Sequence, residues 1–301
     1  MSPMQERMSP WQERMSPLQE RIDALHGWPA GEALPEAAGE IVGELLGRLE
    51  AGSLRAAVKD DDGSWTAVPW VKRGILVAFR SGRITPVAAP GGGPVDPESP
   101  SAFLDKHNLP VRRFAAGEGV RVVPGGSAVR RGAYVGPGVV CMPPMYVNVG
   151  AWVGAGSMID SHALVGSCAQ IGERVHLSAA AQIGGVLEPV GAAPVVIEDD
   201  VLVGGNAGVY EGTVVRRGAV LAAGVVLTRG TPVFDLVREE VYRAGPSRPL
   251  EIPEDAVVVP GGRAVTREWG LAQGLSLYAP VIVKYRDAGT DLATALEDWL
   301  R

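Results

Sequence analysis

From Val129 onward, every sixth residue is a small to medium apolar side chain: Val129, Val135, Cys141, Val147, Val153, Ile159, Val165, Ile171, Leu177 and Ile183. The series breaks, then resumes through Ile197, Val203, Val209, Val215, Leu221, Leu227 and Val233. Four residues after these positions the side chain is usually small (Ala133, Ala151, Ser157, Ala163, Ala169, Ala181, Ala207, Ala219), and the next residue is often glycine, as at Gly136, Gly154, Gly166 and Gly172. A helix repeats every 3.6 residues and an ordinary strand every two, so neither produces this pattern. A short straight segment followed by a tight corner does, and three such segments close one triangular coil. Residues eighteen apart, such as Val129, Val147, Val165 and Ile183, then stack at the interstrand spacing of about 4.8 Å. Seventeen hexads predict a prism about 27 Å long, filled by branched aliphatics. The 40 glycines and 6% aromatic content fit an architecture of turns rather than a helical bundle. The fold class is mainly β, a parallel β-helix; spacing leaves its hand open.

The break at 185–196 adds eight residues to one hexad and predicts an extruded loop, the place where function is expected on a rigid rod. Before the rod, Ile41, Leu45 and Leu49 predict an amphipathic helix over 36–51, stopped by Gly52. Leu54–Lys59 and Ser64–Val68 flank an Asp-Asp-Asp-Gly turn as a hairpin, a second helix covers Pro69–Arg80, and the Gly/Pro-rich 81–100 is a linker. After it, strands are expected at Ala256–Val259 and Tyr278–Tyr285, and a closing helix at Thr290–Leu300. The first residues repeat as MSPMQER, MSPWQER and MSPLQER; Pro3, Pro10 and Pro17 oppose a coiled coil and favour a disordered extension. The expected organisation is an extension over 1–21, a small α/β N-terminal domain over 22–118, the rod over 119–235, and a C-terminal cap over 236–301.

A formal net charge of -6 gives no electrostatic reason to expect nucleic acid or an anionic membrane as partner. No run of about 18 apolar residues is present, no apolar signal core opens the chain, and two cysteines make no disulfide framework. A cytoplasmic location is expected.

Several segments carry a resemblance: RVVPG at 121–125, MPPMYVN at 142–148, MID at 158–160, VGSCAQIG at 165–172, VHLS at 175–178, IGGVLEP at 183–189 and VIEDD at 196–200. From about Leu18 onward the chain resembles the tetrahydrodipicolinate N-succinyltransferase family of hexapeptide-repeat acyltransferases. The hexapeptide pattern is shared by many transferases, whereas VGSCAQIG with IGGVLEP is specific. The resemblance implies a left-handed coil and a homotrimer with active sites between neighbouring rods. It implies transfer of succinyl from succinyl-CoA, as co-substrate, to the amino group of open-chain tetrahydrodipicolinate in the diaminopimelate branch of lysine synthesis. It places the family's substrate-binding arginine on Arg121 and its key acid on Asp160. The chain departs from the family at Asn206 and Gly208, where an arginine and a glutamate are absent, and Met145 reads as an insertion before Tyr146.

The chemistry narrows the candidates. An amine attacks a thioester only as the free base, so an incoming ammonium must lose a proton near the acyl carbon. Asp160 follows core Ile159 on an outward edge, where it orients the ammonium or accepts its proton; an aspartate there also serves simply to solvate a corner. Glu188, on the extruded loop, is the second acidic candidate, for catalysis or for the loop's shape. A dicarboxylate calls for bidentate arginine, and Arg121 is the candidate ahead of Arg130 and Arg131. Backbone N–H groups of Ala222, Ala223 and Gly224 are candidate donors to the thioester oxyanion, and Arg263 and Arg229 are candidate partners of the coenzyme phosphates. His162 and His176 are the only histidines in the rod, too few for a three-histidine metal site, so no metal is expected. Cys141 and Cys168 lack an evident partner base, which argues against an acyl-cysteine route. The competing functions are an acetyltransferase on a related amine and an inactive trimeric scaffold.

Overall fold

A computed structural model describes residues 16–87, 103–246 and 248–287. Its centre is a rod of two-residue strands stacked in parallel on three faces. The first face runs from Tyr134–Val135 through Trp152–Val153, Gln170–Ile171, Val196–Ile197 and Val214–Val215 to Glu251–Ile252. The second begins at Arg121–Val122 and passes through Val140–Cys141, Met158–Ile159, His176–Leu177, Leu202–Val203 and Val220–Leu221. The third carries Ala128–Val129, Tyr146–Val147, Leu164–Val165, Gln182–Ile183, Gly208–Val209 and Val226–Leu227. The eighteen-residue register holds from coil to coil, as in Val135, Val153 and Ile171.

The hexad positions form one continuous buried column, and the small residues four places on fill the space beside them. Each such aliphatic contributes about 2 kcal/mol of burial, an upper figure because the unfolded chain already hides part of that surface. Glycine begins the corner because coils touch there: a Cβ on Gly154 would lie 2.4 Å from the carbonyl oxygen of Gly172. Met145 extrudes nothing. It is buried in the small-residue slot between Cys141 and Val147, and the six-residue spacing passes through it unchanged.

The rod does not end where the periodicity suggests. Val233 is buried but belongs to the strand Val233–Asp235, which pairs with Glu240–Tyr242 and Val281–Tyr285 in a terminal mixed extension of the second face. The next rungs come from Glu251–Ile252 on Val214–Val215 and Ala256–Val259 on Val220–Leu221. A boundary at 235 therefore cuts the rod. The chain makes a second excursion between Leu227 and Ile252, and resumes with Ile252 and Val258 six apart.

Among its described residues the N-terminal domain has three α-helices, α1 (Pro17–His26), α2 (Ala38–Glu50) and α3 (Pro69–Ser81), with a hairpin of Ala57–Lys59 and Trp65–Ala67. Residues 1–15 of the expected extension lie outside the described residues, but 17–21 are helical. Pro17 stands at the start of α1, where its missing N–H is not needed, Ser16 accepts a hydrogen bond from the Gln19 N–H, and Leu18, Ile22 and Leu25 are buried. Within the expected linker, Ile84–Pro86 pairs antiparallel with Leu104–Lys106. The C-terminal strand expectation resolves into Ser276–Tyr278 and Val281–Tyr285; the closing helix at 290–300 falls outside the described residues. No described helix is long and apolar enough to cross a membrane.

The helices pack on Val149 and Cys168 of the rod, and the loop after Ile183 packs with them through Leu187. Buried Lys72 of α3 donates to the Ala192 carbonyl at 2.5 Å, so the loop is pinned to the helical domain rather than extended into solvent.

Candidate functional site

The second face brings two of the sequence-predicted site residues, Arg121 and Asp160, together. Along each short strand the second residue points into the column, so its neighbours on either side face outward. One outward row is Arg121, Val140, Met158, His176, Leu202 and Val220. The parallel row, fixed by coil-to-coil backbone hydrogen bonds, is Met142, Asp160, Ser178, Gly204 and Ala222. Asp160 thus comes beside His176: its Oδ2 lies 3.9 Å from His176 Nε2, while its Oδ1 accepts the Ser161 N–H at 2.7 Å. The carboxylate is 29% exposed and the imidazole 11%, so one stays open to a ligand while the other is walled by the sheet. Arg121 is exposed on the same face, two coil steps or about 10 Å from the Met158 rung. The Arg121 guanidinium and a carboxylate–imidazole pair therefore share one surface.

The partnership of Asp160 with His176 was available in the sequence, since His176 stands eighteen residues after Met158 and so one coil above it. Treating the histidines only as metal candidates hides this, because the useful relation is stacking rather than ligand spacing.

Other candidates separate from this surface. Glu188 is exposed on the loop between the third and first faces, whereas Asp160 stands at the corner between the second and third. Within one chain the two carboxylates occupy different corners. Of the proposed oxyanion donors, the Ala222 N–H is bound to the Val258 carbonyl at 2.8 Å and the Gly224 N–H to that of Gly205 at 3.0 Å. Coil pairing consumes these donors, which corrects the expectation for Ala222 and Gly224 and leaves Ala223. Arg263 lies on a ribbon formed by Gly262–Ala264 and Ser276–Tyr278, its guanidinium 5.7 Å from the Phe234 ring centre. Arg229 is spent on the backbone, donating to the Gly245 and Pro246 carbonyls. Burial pushes both cysteine thiols up to about 12, which removes them as nucleophiles at neutral pH.

A larger cleft, about 510 Å³, opens on the first face where the N-terminal hairpin meets the rod. Its groups satisfy one another. Glu198 accepts from Trp65 Nε1 at 2.9 Å, Arg216 at 3.0 Å and the Arg217 N–H at 3.1 Å, and pairs with Lys59 at 2.8 Å. Burial raises the Glu198 carboxyl, but the Lys59 and Trp65 hydrogen bonds and the charges of Lys59 and Arg216 outweigh it and hold the group below the usual carboxylate range. Arg55 stacks over Trp152 at 4.0 Å, with its Nε on Gln170 Oε1 at 2.9 Å; burial lowers its pKa to about 10, against the opposing charge of Asp199. This is a seam between domains.

Gly208 sits on the third face under Tyr210. A Cβ at this position would fall 2.5 Å from Tyr210 Cε2 and 2.9 Å from its hydroxyl. The space that a side chain at 208 requires is filled by the tyrosine ring.

With this geometry in hand, the chain matches two family models: tetrahydrodipicolinate N-succinyltransferase N-terminal over residues 17–81, and hexapeptide repeat of succinyl-transferase over residues 194–229. It is 42% identical over 270 residues to the 2,3,4,5-tetrahydropyridine-2,6-dicarboxylate N-succinyltransferase of Polynucleobacter asymbioticus, covering 90% of this chain and 92% of that one. The protein of the same name from Aromatoleum aromaticum is 43% identical, with 89% and 92% covered. That of Rhodopseudomonas palustris is 39% identical, with 87% and 89% covered.

Proposed function

The chain belongs to the tetrahydrodipicolinate N-succinyltransferase family, and on that premise we propose that it moves succinyl from succinyl-CoA to the amino group of open-chain tetrahydrodipicolinate, a step of diaminopimelate and lysine synthesis. The observation that carries this reading is the Asp160 carboxylate, open to solvent beside the His176 imidazole on a face that also bears Arg121. In a ternary complex Arg121 grips a substrate carboxylate through two parallel N–H bonds. Asp160 receives the proton from the ammonium, and the freed amine forms a bond to the thioester carbonyl carbon. Collapse of the tetrahedral adduct breaks the carbon–sulfur bond, the nitrogen gives up its second proton to the departing coenzyme A thiolate to leave the neutral amide, and the proton held by Asp160 returns to solvent. His176 walls one side of Asp160, its Nε2 3.9 Å from the carboxylate.

The functional unit in this reading is a homotrimer, with sites in the grooves between rods. Large apolar side chains left exposed at the C-terminal end support it: Trp269 at 72%, Leu271 at 62% and Leu277 at 55%.

The empty 208 position, filled by Tyr210, favours a second reading, transfer of another acyl group or a scaffold without activity. One thiol-release assay separates the three, using succinyl-CoA or acetyl-CoA with and without tetrahydrodipicolinate. Release that requires both succinyl-CoA and tetrahydrodipicolinate is the expected result. Faster release from acetyl-CoA replaces the donor, and no release from either leaves the scaffold.

A further inference from the structure

Near the C-terminal end of the first face, a pocket of about 350 Å³ is lined by Arg216, Arg238, Arg243, Arg248, Glu251 and Tyr242, with Pro253 at its edge. Four guanidinium groups face one carboxylate, in a chain whose formal net charge is -6. That carboxylate is already taken, because Glu251 Oε2 accepts from Arg216 Nε at 3.1 Å and Nη2 at 2.7 Å. Arg216 is spent as well, with further bonds to Glu198 and to the Gly63 carbonyl. Arg238 packs its guanidinium 4.1 Å from the Tyr285 ring centre and reaches the Tyr242 hydroxyl at 3.5 Å, which leaves most of its donors unused. The Arg243 and Arg248 side chains have no partner among the described residues. Glu251 and Glu198 neutralise Arg216 and the charge of Asp235 reaches Arg238, whereas Arg243 and Arg248 add like charge with no ion pair among the described residues, so the arrangement gains by holding an anion.

The backbone that presents these arginines is braced. Arg229 donates to the carbonyls of Gly245 and Pro246, the Gly245 N–H donates to the Arg248 carbonyl at 2.9 Å, and Glu211 accepts the Arg229 N–H at 2.9 Å. The Arg229 side chain is thus committed to holding Gly245 and Pro246, next to Arg243. Several planar guanidinium forks lining one pocket match the tetrahedral oxygens of phosphate better than a single carboxylate, and the volume admits one or two phosphoryl groups.

We propose that Arg238, Arg243 and Arg248 form a binding site for a phosphate-bearing ligand at the end of the rod, separate from the Asp160 surface. Two sources share this chemistry: the phosphates of coenzyme A, and free phosphate or diphosphate. The test titrates full-length protein with inorganic pyrophosphate by calorimetry, comparing the wild type with Arg243→Ala/Arg248→Ala and Arg243→Lys/Arg248→Lys. Both arginines are exposed, so the melting temperature should hold in each variant. The alanine pair should lose at least about tenfold in pyrophosphate affinity and the lysine pair less, since lysine keeps the charge but not the fork. Adenosine 3′,5′-bisphosphate, titrated in parallel, reports on the coenzyme end without requiring any transfer activity. Loss of both ligands together with a raised succinyl-CoA KM at unchanged kcat assigns the site to coenzyme A. Loss of pyrophosphate alone assigns it to the free anion. Pyrophosphate affinity that is equal in wild type and alanine pair, or absent from both, overturns the proposal. Because binding is read directly, that result leaves the acyl-transfer reading untouched.

Discussion

Glu198 and Asp160 are both carboxylates on the outside of one rod, and they have opposite fates. Glu198 lies on the first face under the N-terminal hairpin, its side chain 6% exposed and its oxygens engaged by Lys59, Trp65, Arg216 and the Arg217 backbone. Asp160 lies on the second face, 29% exposed, with one oxygen on a backbone N–H and the other toward His176. A carboxylate whose acceptor sites are filled by its own chain holds the fold together. One that keeps an open side beside an imidazole is equipped to take a proton from something else. A cleft of about 510 Å³ surrounds the first kind, so volume and charge alone do not separate the two.

The contrast can be broken most forcefully at Glu198. Glu198→Ala leaves Lys59 and Arg216 facing a partly dry pocket without their partner, and should cost about 3 kcal/mol in a denaturant titration. Turnover per folded molecule should stay near wild type; a hundredfold loss there would mean the seam takes part in chemistry. Asp160→Asn should do the reverse, with unfolding unchanged and turnover lower by about a hundredfold, as for a positioned proton acceptor. Near-normal turnover removes Asp160 from the mechanism.

Acid separates the two groups further. The Glu198 pKa is depressed in the folded state, so its stabilisation is complete above the ordinary carboxylate pKa of about 4.3 and fades as pH falls through the lower folded value. Melting temperature should therefore drop below about pH 4, and Glu198→Gln should flatten that limb. A drop of equal depth in the variant would place the acid sensitivity elsewhere. Arg121→Lys should raise KM for the amine substrate several-fold while leaving kcat close to wild type, because the charge stays and the fork is lost. Unchanged saturation would release Arg121 from that role.

The smallest effect concerns the position where a carboxylate is missing. Gly208→Ala drives a methyl group into the Tyr210 ring and should cost about 1 kcal/mol; adding Tyr210→Val should recover most of it in a double-mutant cycle. Additive effects would show that the ring does not close the site.

Much of this was written in the chain. The period of six named the column residues one by one, from Val129 to Leu227, because each lies against others of its own kind and nothing distant competes. Helix α3, the hairpin and the loop at 185–196 were legible for the same reason, local patterns bounded by glycine or proline. Helix α1 was not: its prolines counted against a helix, and only the burial of Leu18, Ile22 and Leu25 against the other helices settles it. Val233 keeps the period yet leaves the coil, since the excursion after it offers a better partner in Val281–Tyr285.

The site divides along the same line. Arg121 and Asp160 were named from motif resemblance, and stacking puts them on one face. Which backbone donors are already bonded, which acids are already paired and which arginines face a pocket depend on residues as much as 153 positions apart, as Gly63 and Arg216 are. By itself the sequence determined the repeating unit, because six residues contain their own turn and their own core contact. Only the tertiary structure decided which outward groups remained unspent, because that depends on what the rest of the chain laid over each face.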